Sequence, residues 1–442
     1  RRPPRYTLSS SSAASDVYKR QKEYSYAWLI KQYEGAKLFL KNNNIEAGSV
    51  TALKSDFSPY SIAFVLALIE NGNIFVPISD AVKTVDEFLE ISQVQWLIEL
   101  NKDTPVLSKK RGIADHPILV DLINEKHPGL VLFSSGSTGK SKAAVHDLVP
   151  LMEKFKTERH TLRTITFLLF DHIGGVNTLL YILSNTGTII SPASRDPEEI
   201  CRLIEKYKVE LLPTSPSFLN MLLMSQVYQK YDLSSLKMIT YGTEAMPEYV
   251  LKTLNSLFPE ITLKQTYGLS ELGIMRSKSR ADDSLWVKVG GEDFQTKVVD
   301  DILYIKAKSA MRGYLNAPSP FDDEGWFNTQ DKVLVDGEWL KILGRTTDII
   351  NVGGQKVYPA EVESVIMEME NIDDVAVYSE PNPIMGQVVA ARVTVKTQED
   401  ATQLKNRIRK FCSGRLENYK IPVIVKIEEK QSISERFKKV RY

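Results

Sequence analysis

Leu130-Val-Leu-Phe-Ser-Ser-Gly-Ser-Thr-Gly-Lys-Ser-Lys142 is the stretch on which the reading of this chain turns. Four apolar residues run straight into a loop of glycines and small hydroxyl residues, and Lys140 and Lys142 close it. A short apolar run bounded by turn residues reads as a buried strand of a parallel sheet. In the loop, small residues let backbone N–H groups approach phosphate oxygens, hydroxyls add donors, and lysines neutralise charge. Ser134, Ser135, Gly136, Ser137, Thr138, Gly139, Lys140 and Lys142 are therefore candidate phosphate-contacting residues. A Walker loop, G-x-x-x-x-G-K-[ST], needs glycine at position 134, where Ser134 stands, so that reading fails.

The same strand–helix rhythm extends on both sides of this loop. Residues 26–42 carry apolar side chains at helical spacing, 49–54 and 73–78 read as strands, and a helix at 58–70 stops at Asn71-Gly72. Strand-like runs recur at 165–169, 188–191, 210–213, 237–241 and 262–265, with helical stretches between several of them. Strands spaced by helices predict parallel sheets with helices on their faces. Beyond about Glu271 the helices thin out, and short strands up to Arg345 predict a small barrel-like piece. From Ile349 a compact α+β unit is expected: a strand at 349–352, a Gly353-Gly354 turn, helices at 359–369 and 398–413, and strands near 375–378 and 388–395.

Composition narrows the class. The 442 residues carry 56 Lys and Arg against 55 Asp and Glu, so a net charge of +1 gives no global attraction to nucleic acid or an anionic membrane. Cys201 and Cys412 cannot build a disulfide framework, which predicts a reducing, cytoplasmic setting. The longest apolar run, 62–69, is far short of the roughly 20 residues of a membrane-spanning helix. Residues 1–21 lack apolar periodicity and differ abruptly in composition from the rest of the chain. They could be a transit peptide, but Ser11 to Gln21 more closely resembles a translated sequencing adapter. The segment is therefore expected to be an artefact without structure, leaving the natural start missing.

Further motifs appear in order along the chain. In Thr266-Tyr-Gly-Leu-Ser-Glu271, a carboxylate beside a triphosphate is repulsive unless a divalent cation lies between them, so Glu271 is a candidate Mg2+ ligand. Tyr267 offers a face for adenine, and Thr266 or Ser270 a donor to phosphate. With the loop at 134–142, this box resembles signatures of the adenylate-forming (acyl-CoA synthetase, AMP-binding) superfamily, with Ser141 for the usual proline and Ser270 for threonine. Gly242-Thr-Glu-Ala-Met246 resembles the superfamily's adenine-side loop, and Gly325-Trp-Phe-Asn-Thr-Gln-Asp331 its Gly-Trp-Phe-x-Thr-Gly-Asp box, with Gln330 for glycine. Residues 343–363 resemble its longest signature, and Ser434 to Arg441 its C-terminal lysine motif, with Phe437 for glycine.

The resemblance implies roles residue by residue. Asp331 would hold the ribose hydroxyls, Arg345 the ribose and phosphate, and Gly242, Thr243, Thr266, Tyr267, Gly268 and Ser270 the nucleotide. Lys438 would be the adenylation lysine, with Lys439 as the alternative. Lys438, Glu271, His172 and Thr138 are the implied catalytic side chains. Residues 22–345 would be the large N-terminal domain, 346–347 a hinge occupied by Thr347 where Asp or Lys is usual, and 348–442 a small mobile C-terminal domain. Gly353 and Gly354 would lie where a pantetheine thiol enters.

The implied reaction joins a carboxylic acid to ATP, releases pyrophosphate, and passes the acyl group to CoA. Phe170-Asp-His-Ile-Gly-Gly175 resembles the acyl-CoA synthetase box, in which the histidine lies by the acyl carboxylate, and this favours a fatty or aryl acid. Asp171 keeps open a relative that loads an amino or fatty acid onto a carrier protein. Gln330, Thr347 and Phe437 keep open a degenerate adenylate-binding homologue.

Overall fold

The computed structural model of this protein describes residues 5–8, 22–101, 104–135, 141–291, 293–429, Ser434 and Lys439. It is an α/β molecule with a large N-terminal part and a smaller C-terminal part. Two seven-stranded sheets make the body of the large part. In one, Thr262–Gln265, Met238–Tyr241, Leu211–Thr214, Arg163–Ile165 and Thr188–Ser191 lie side by side and parallel. In the other, Gly129–Ser135, Ile74–Ile78, Val50–Lys54 and Trp96–Asn101 are parallel. Its edges are antiparallel, through Ser141–Asp147 on one side and Thr104–Lys109 on the other.

The helices start where the residues can cap them. Ser58 and Ser61 exchange hydrogen bonds in a capping box ahead of Pro59–Glu70, and Ser25 caps Tyr26–Asn42. The strand expected at 165–169 ends instead at Ile165. Residues 168 and 169 close onto the start of helix Ile173–Ser184, where a Cβ on Gly175 would stand 1.8 Å from the Leu169 carbonyl oxygen.

Residues 276–345 form a six-stranded antiparallel sheet, the half-barrel piece. The small part packs Pro359–Met367 and Ala401–Cys412 against a sheet built on the Ile372–Asn382 and Gly386–Val395 hairpin. Its core is continuous with that of the large part: Val362 and Ile366 belong to one buried cluster with Val250, Leu251 and Tyr241. Within residues 1–21 the structure describes only Arg5–Leu8. Arg5–Leu8 adds a strand between Thr188–Ser191 and Lys22–Ser25, because an open sheet edge presents unpaired backbone groups that an extended segment can satisfy.

Candidate active site

Gly242, Thr243, Thr266 and Tyr267 directly follow the Met238–Tyr241 and Thr262–Gln265 strands, at their carboxyl ends, the edge where open α/β sheets bind ligands. Gly242 and Thr266 leave these neighbouring strands. The Thr266 N–H and hydroxyl both donate to the Tyr241 carbonyl, at 2.8 and 3.0 Å. A Cβ on Gly242 would lie 2.6 Å from the Thr266 hydroxyl oxygen, so only glycine fits there. Thr243 takes a left-handed φ of 77°.

Tyr267 is buried, and its hydroxyl donates to Asp331 Oδ2. Arg345 approaches the other Asp331 oxygen at 3.6 Å from the exposed side. Burial raises the Asp331 carboxyl above the ordinary range, and the Arg345 charge opposes that shift. Asp331 and Arg345 are cross-strand partners in the half-barrel sheet, which is how positions fourteen apart in sequence come to face one site.

Gly268–Leu269 and Gly273–Ile274 pair as a tight hairpin whose three-residue loop carries Ser270 and Glu271, with Gly273 at φ 83°. The Tyr314 hydroxyl donates to Glu271 Oε1 at 2.6 Å, and Lys142 lies over the Tyr314 ring at 5.3 Å. Beneath the loop, His146 Nε2 meets the Ser270 carbonyl at 2.6 Å. These contacts join the hairpin to the strand that follows residues 136–140, since Lys142 and His146 both lie on Ser141–Asp147. Ser134 pairs with Lys142, and Ser135 with Ser141, in the ladder between Gly129–Ser135 and Ser141–Asp147. Gly136, Ser137, Thr138, Gly139, Lys140 and Lys438 lie outside the described residues.

His172 caps helix Ile173–Ser184, its Nδ1 accepting the Gly174 N–H at 3.1 Å. Asp171 is buried, with the Ser79 hydroxyl donating to its Oδ2 at 2.7 Å. Gly353 and Gly354, at φ 58° and 90°, make the hairpin turn between Ile350–Val352 and Gln355–Val357 in the small part. Gln330 holds a φ of 62°, and Thr347 lies in the short turn Thr346–Asp348.

Lys439 is the described residue that brings the chain end to this site. Its N–H donates to Glu244 Oε2 at 3.1 Å, and its ammonium is engaged by Asp374 at 2.9 Å and the Val375 carbonyl at 2.7 Å. Sequence reasoning missed Tyr314, His146, Glu244 and Asp374, because each acts on a partner far away in sequence and none sits in a local pattern. A separate trio, Glu125, His127 and Asp147, could hold a metal by proximity. The Arg312 guanidinium already bridges its two carboxylates at 2.5 and 2.6 Å, so their charge is satisfied without one.

Comparison with known proteins places the chain in a family. The AMP-binding enzyme pattern matches residues 8–315, and the AMP-binding enzyme C-terminal domain pattern matches residues 361–435. An indoleacetate–CoA ligase of Aromatoleum aromaticum is 25% identical over 457 residues, covering 91% of this chain and 89% of that protein. Long-chain-fatty-acid–CoA ligase FadD13 of Mycobacterium tuberculosis is 28% identical over 316 residues, covering 66% of this chain and 62% of its own. The crystal structure of the anthranilate CoA ligase AuaEII with anthranoyl-AMP superposes with a TM-score of 0.80 at 19% identity, over 95% of this chain and 91% of that one, a likeness of fold. The chain belongs to the AMP-binding enzyme family.

Proposed function

We propose that this chain is an AMP-forming acid–CoA ligase acting on an aryl or fatty carboxylic acid. The acid and ATP give an acyl-adenylate and pyrophosphate; CoA then displaces AMP to give the thioester. The observation that carries this reading is the convergence, at one strand edge, of the Tyr267–Asp331–Arg345 group, the Glu271 hairpin and the Lys439 segment. A ligase needs all three: a hold on the nucleoside, a hold on the phosphates, and a cation for the acid.

Asp331 accepts the ribose hydroxyls, and Arg345 adds a charge that can reach ribose and phosphate. Tyr314 holds one oxygen of Glu271, leaving the other for a cation; a single carboxylate suits Mg2+, whose remaining ligands come from water and substrate phosphates. When bound there, Mg2+ would neutralise charge on the leaving pyrophosphate. Lys438 is the adenylation lysine, because the Lys439 ammonium is already engaged by Asp374. His172 orients the acyl carboxylate, and Thr138 with the rest of the 134–142 loop binds the phosphates. Asp171 is turned to Ser79, which supports an acid without an amino group over an amino-acid substrate.

Residues 22–345 and 348–442 are the two domains of this enzyme, and turning about 346–347 brings Gly353 and Gly354 to the thiol for the second step. No helix among the described residues is long and apolar enough to cross a membrane, and the two buried free cysteines suit a reducing cytoplasm.

The test is acid-dependent ATP–pyrophosphate exchange over a panel of indole, benzoic and straight-chain acids, with a thioester assay on free CoA as its second stage. Exchange and CoA thioester with at least one acid are expected. Exchange without CoA transfer would favour a carrier protein as acceptor, and no exchange with any acid would favour a non-catalytic adenylate binder.

A further inference from the structure

Glu244 lies two residues beyond Gly242 on the loop at the nucleotide edge. Each of its carboxylate oxygens accepts a backbone N–H: Oε1 from Ser217 at 2.8 Å and Oε2 from Lys439 at 3.1 Å. Ser217 lies in the first turn of helix Pro216–Ser225, where N–H groups have no partner inside the helix. One oxygen therefore ties Glu244 to the rigid body of the large part, and the other ties it to the end of the chain.

Lys439 is held a second time, through its side chain. The ammonium donates to Asp374 Oδ1 and the Val375 carbonyl, and the ion pair is 6% and 4% exposed. Asp374 belongs to the Ile372–Asn382 strand of the small part. A buried ion pair is poor evidence of net stability, but withdrawing one partner strands a charge, so the pair defines one register for the segment.

We infer that Glu244, Asp374 and Lys439 form a clamp that positions the C-terminal segment for the adenylation step. The inference rests on the acid-activation reading above. These are positioning residues: they act through Lys438, which a single peptide bond joins to Lys439, about 3.8 Å from Cα to Cα. The clamp links Asp374 of the small part to Glu244 of the large part, so it holds in one relative arrangement of the two. A step that needs a different arrangement must proceed with it open. The clamp therefore promotes the first half-reaction and is dispensable in the second.

The experiment measures both half-reactions on the full chain, for wild type and for Glu244→Gln, Asp374→Asn and Lys439→Met. The first is pyrophosphate exchange with the best acid of the panel; the second is thioester formation from the pre-formed adenylate of that acid and CoA. Each variant is expected to lose ~10- to 100-fold in the kcat of exchange, as befits hydrogen bonds to a charged group, and less than ~2-fold in the second half-reaction. An equal fall in both halves would mean damage to the fold alone, and unchanged exchange would mean no clamp; either overturns the inference. Hydrogen exchange at the Ser217 and Lys439 amides is read without any acid. At least one of them should exchange faster in Glu244→Gln, whose amide keeps one acceptor oxygen in place of two, and unaltered rates at both also overturn the clamp. Wild type inert toward every acid would instead sink the functional reading, with amide exchange still deciding the clamp.

Discussion

Gln330 shows how a departure from a family signature is absorbed. At φ 62° it holds a left-handed conformation, the reason glycine suits that place, and its Oε1 accepts the Thr346 hydroxyl at 2.8 Å. A left-handed conformation costs an ordinary residue about 1–2 kcal/mol. Glycine's extra freedom in the unfolded chain costs about 0.5–1 kcal/mol. Gln330→Gly is thus expected to stabilise by about 0.5–1 kcal/mol, and Gln330→Val, branched at Cβ, to destabilise. Urea unfolding of both variants checks this; a Gly variant no more stable than wild type would show that the strain is relieved elsewhere. The turn survives the substitution, and Asp331, the next residue, still faces Tyr267.

At the scale of elements, the Ser141–Asp147 strand connects two signatures that are distant in sequence. His146 on that strand is fully buried against the Ser270 carbonyl. A carbonyl oxygen only accepts, so the ring carries a proton on Nε2. Burial pushes its pKa down to about 4 from 6.5. A depressed folded pKa contributes stability that is complete above 6.5 and is lost as pH falls toward 4, roughly 3 kcal/mol in all. Going from pH 7 to pH 5, wild type should lose roughly 2 kcal/mol more unfolding free energy than His146→Gln. Urea titrations at the two pH values measure this, and equal losses would remove His146 from the account. Helices such as Tyr26–Asn42 were legible from their apolar period, and parallel strands such as Thr188–Ser191 and Thr262–Gln265 from short apolar runs between turns. The bridge through His146 was not legible, because a lone histidine in a strand has no pattern to read.

Across the whole molecule, the packing of the two parts bears on cysteine chemistry. Cys201 lies in the large part and Cys412 in the small one, both wholly buried. Burial raises their thiols to about 12 and about 11, so neither forms thiolate at neutral pH. Neither should react with an aromatic disulfide reagent at pH 8 in the folded protein, and both should titrate in concentrated urea. Rapid labelling of Cys412 alone would show the small part opening independently, against the shared core that joins Val362 and Ile366 to Val250 and Leu251.

By itself, the sequence determined the class of fold, the order of the elements and the membership of the family. Those come from local rules, the apolar period of each segment and the residue types of the short loops, which need no knowledge of distant partners. Only the tertiary structure decided which side chains answer to one another: Tyr267 to Asp331, Tyr314 to Glu271, His146 to Ser270, and Lys439 to both Glu244 and Asp374. These pairs span 43 to 195 positions, and a hydrogen bond depends on distance in space, which strand order and register set. Lys439 illustrates the division: no local pattern marks it as the partner of Asp374, and only the fold brings that buried carboxylate to its ammonium.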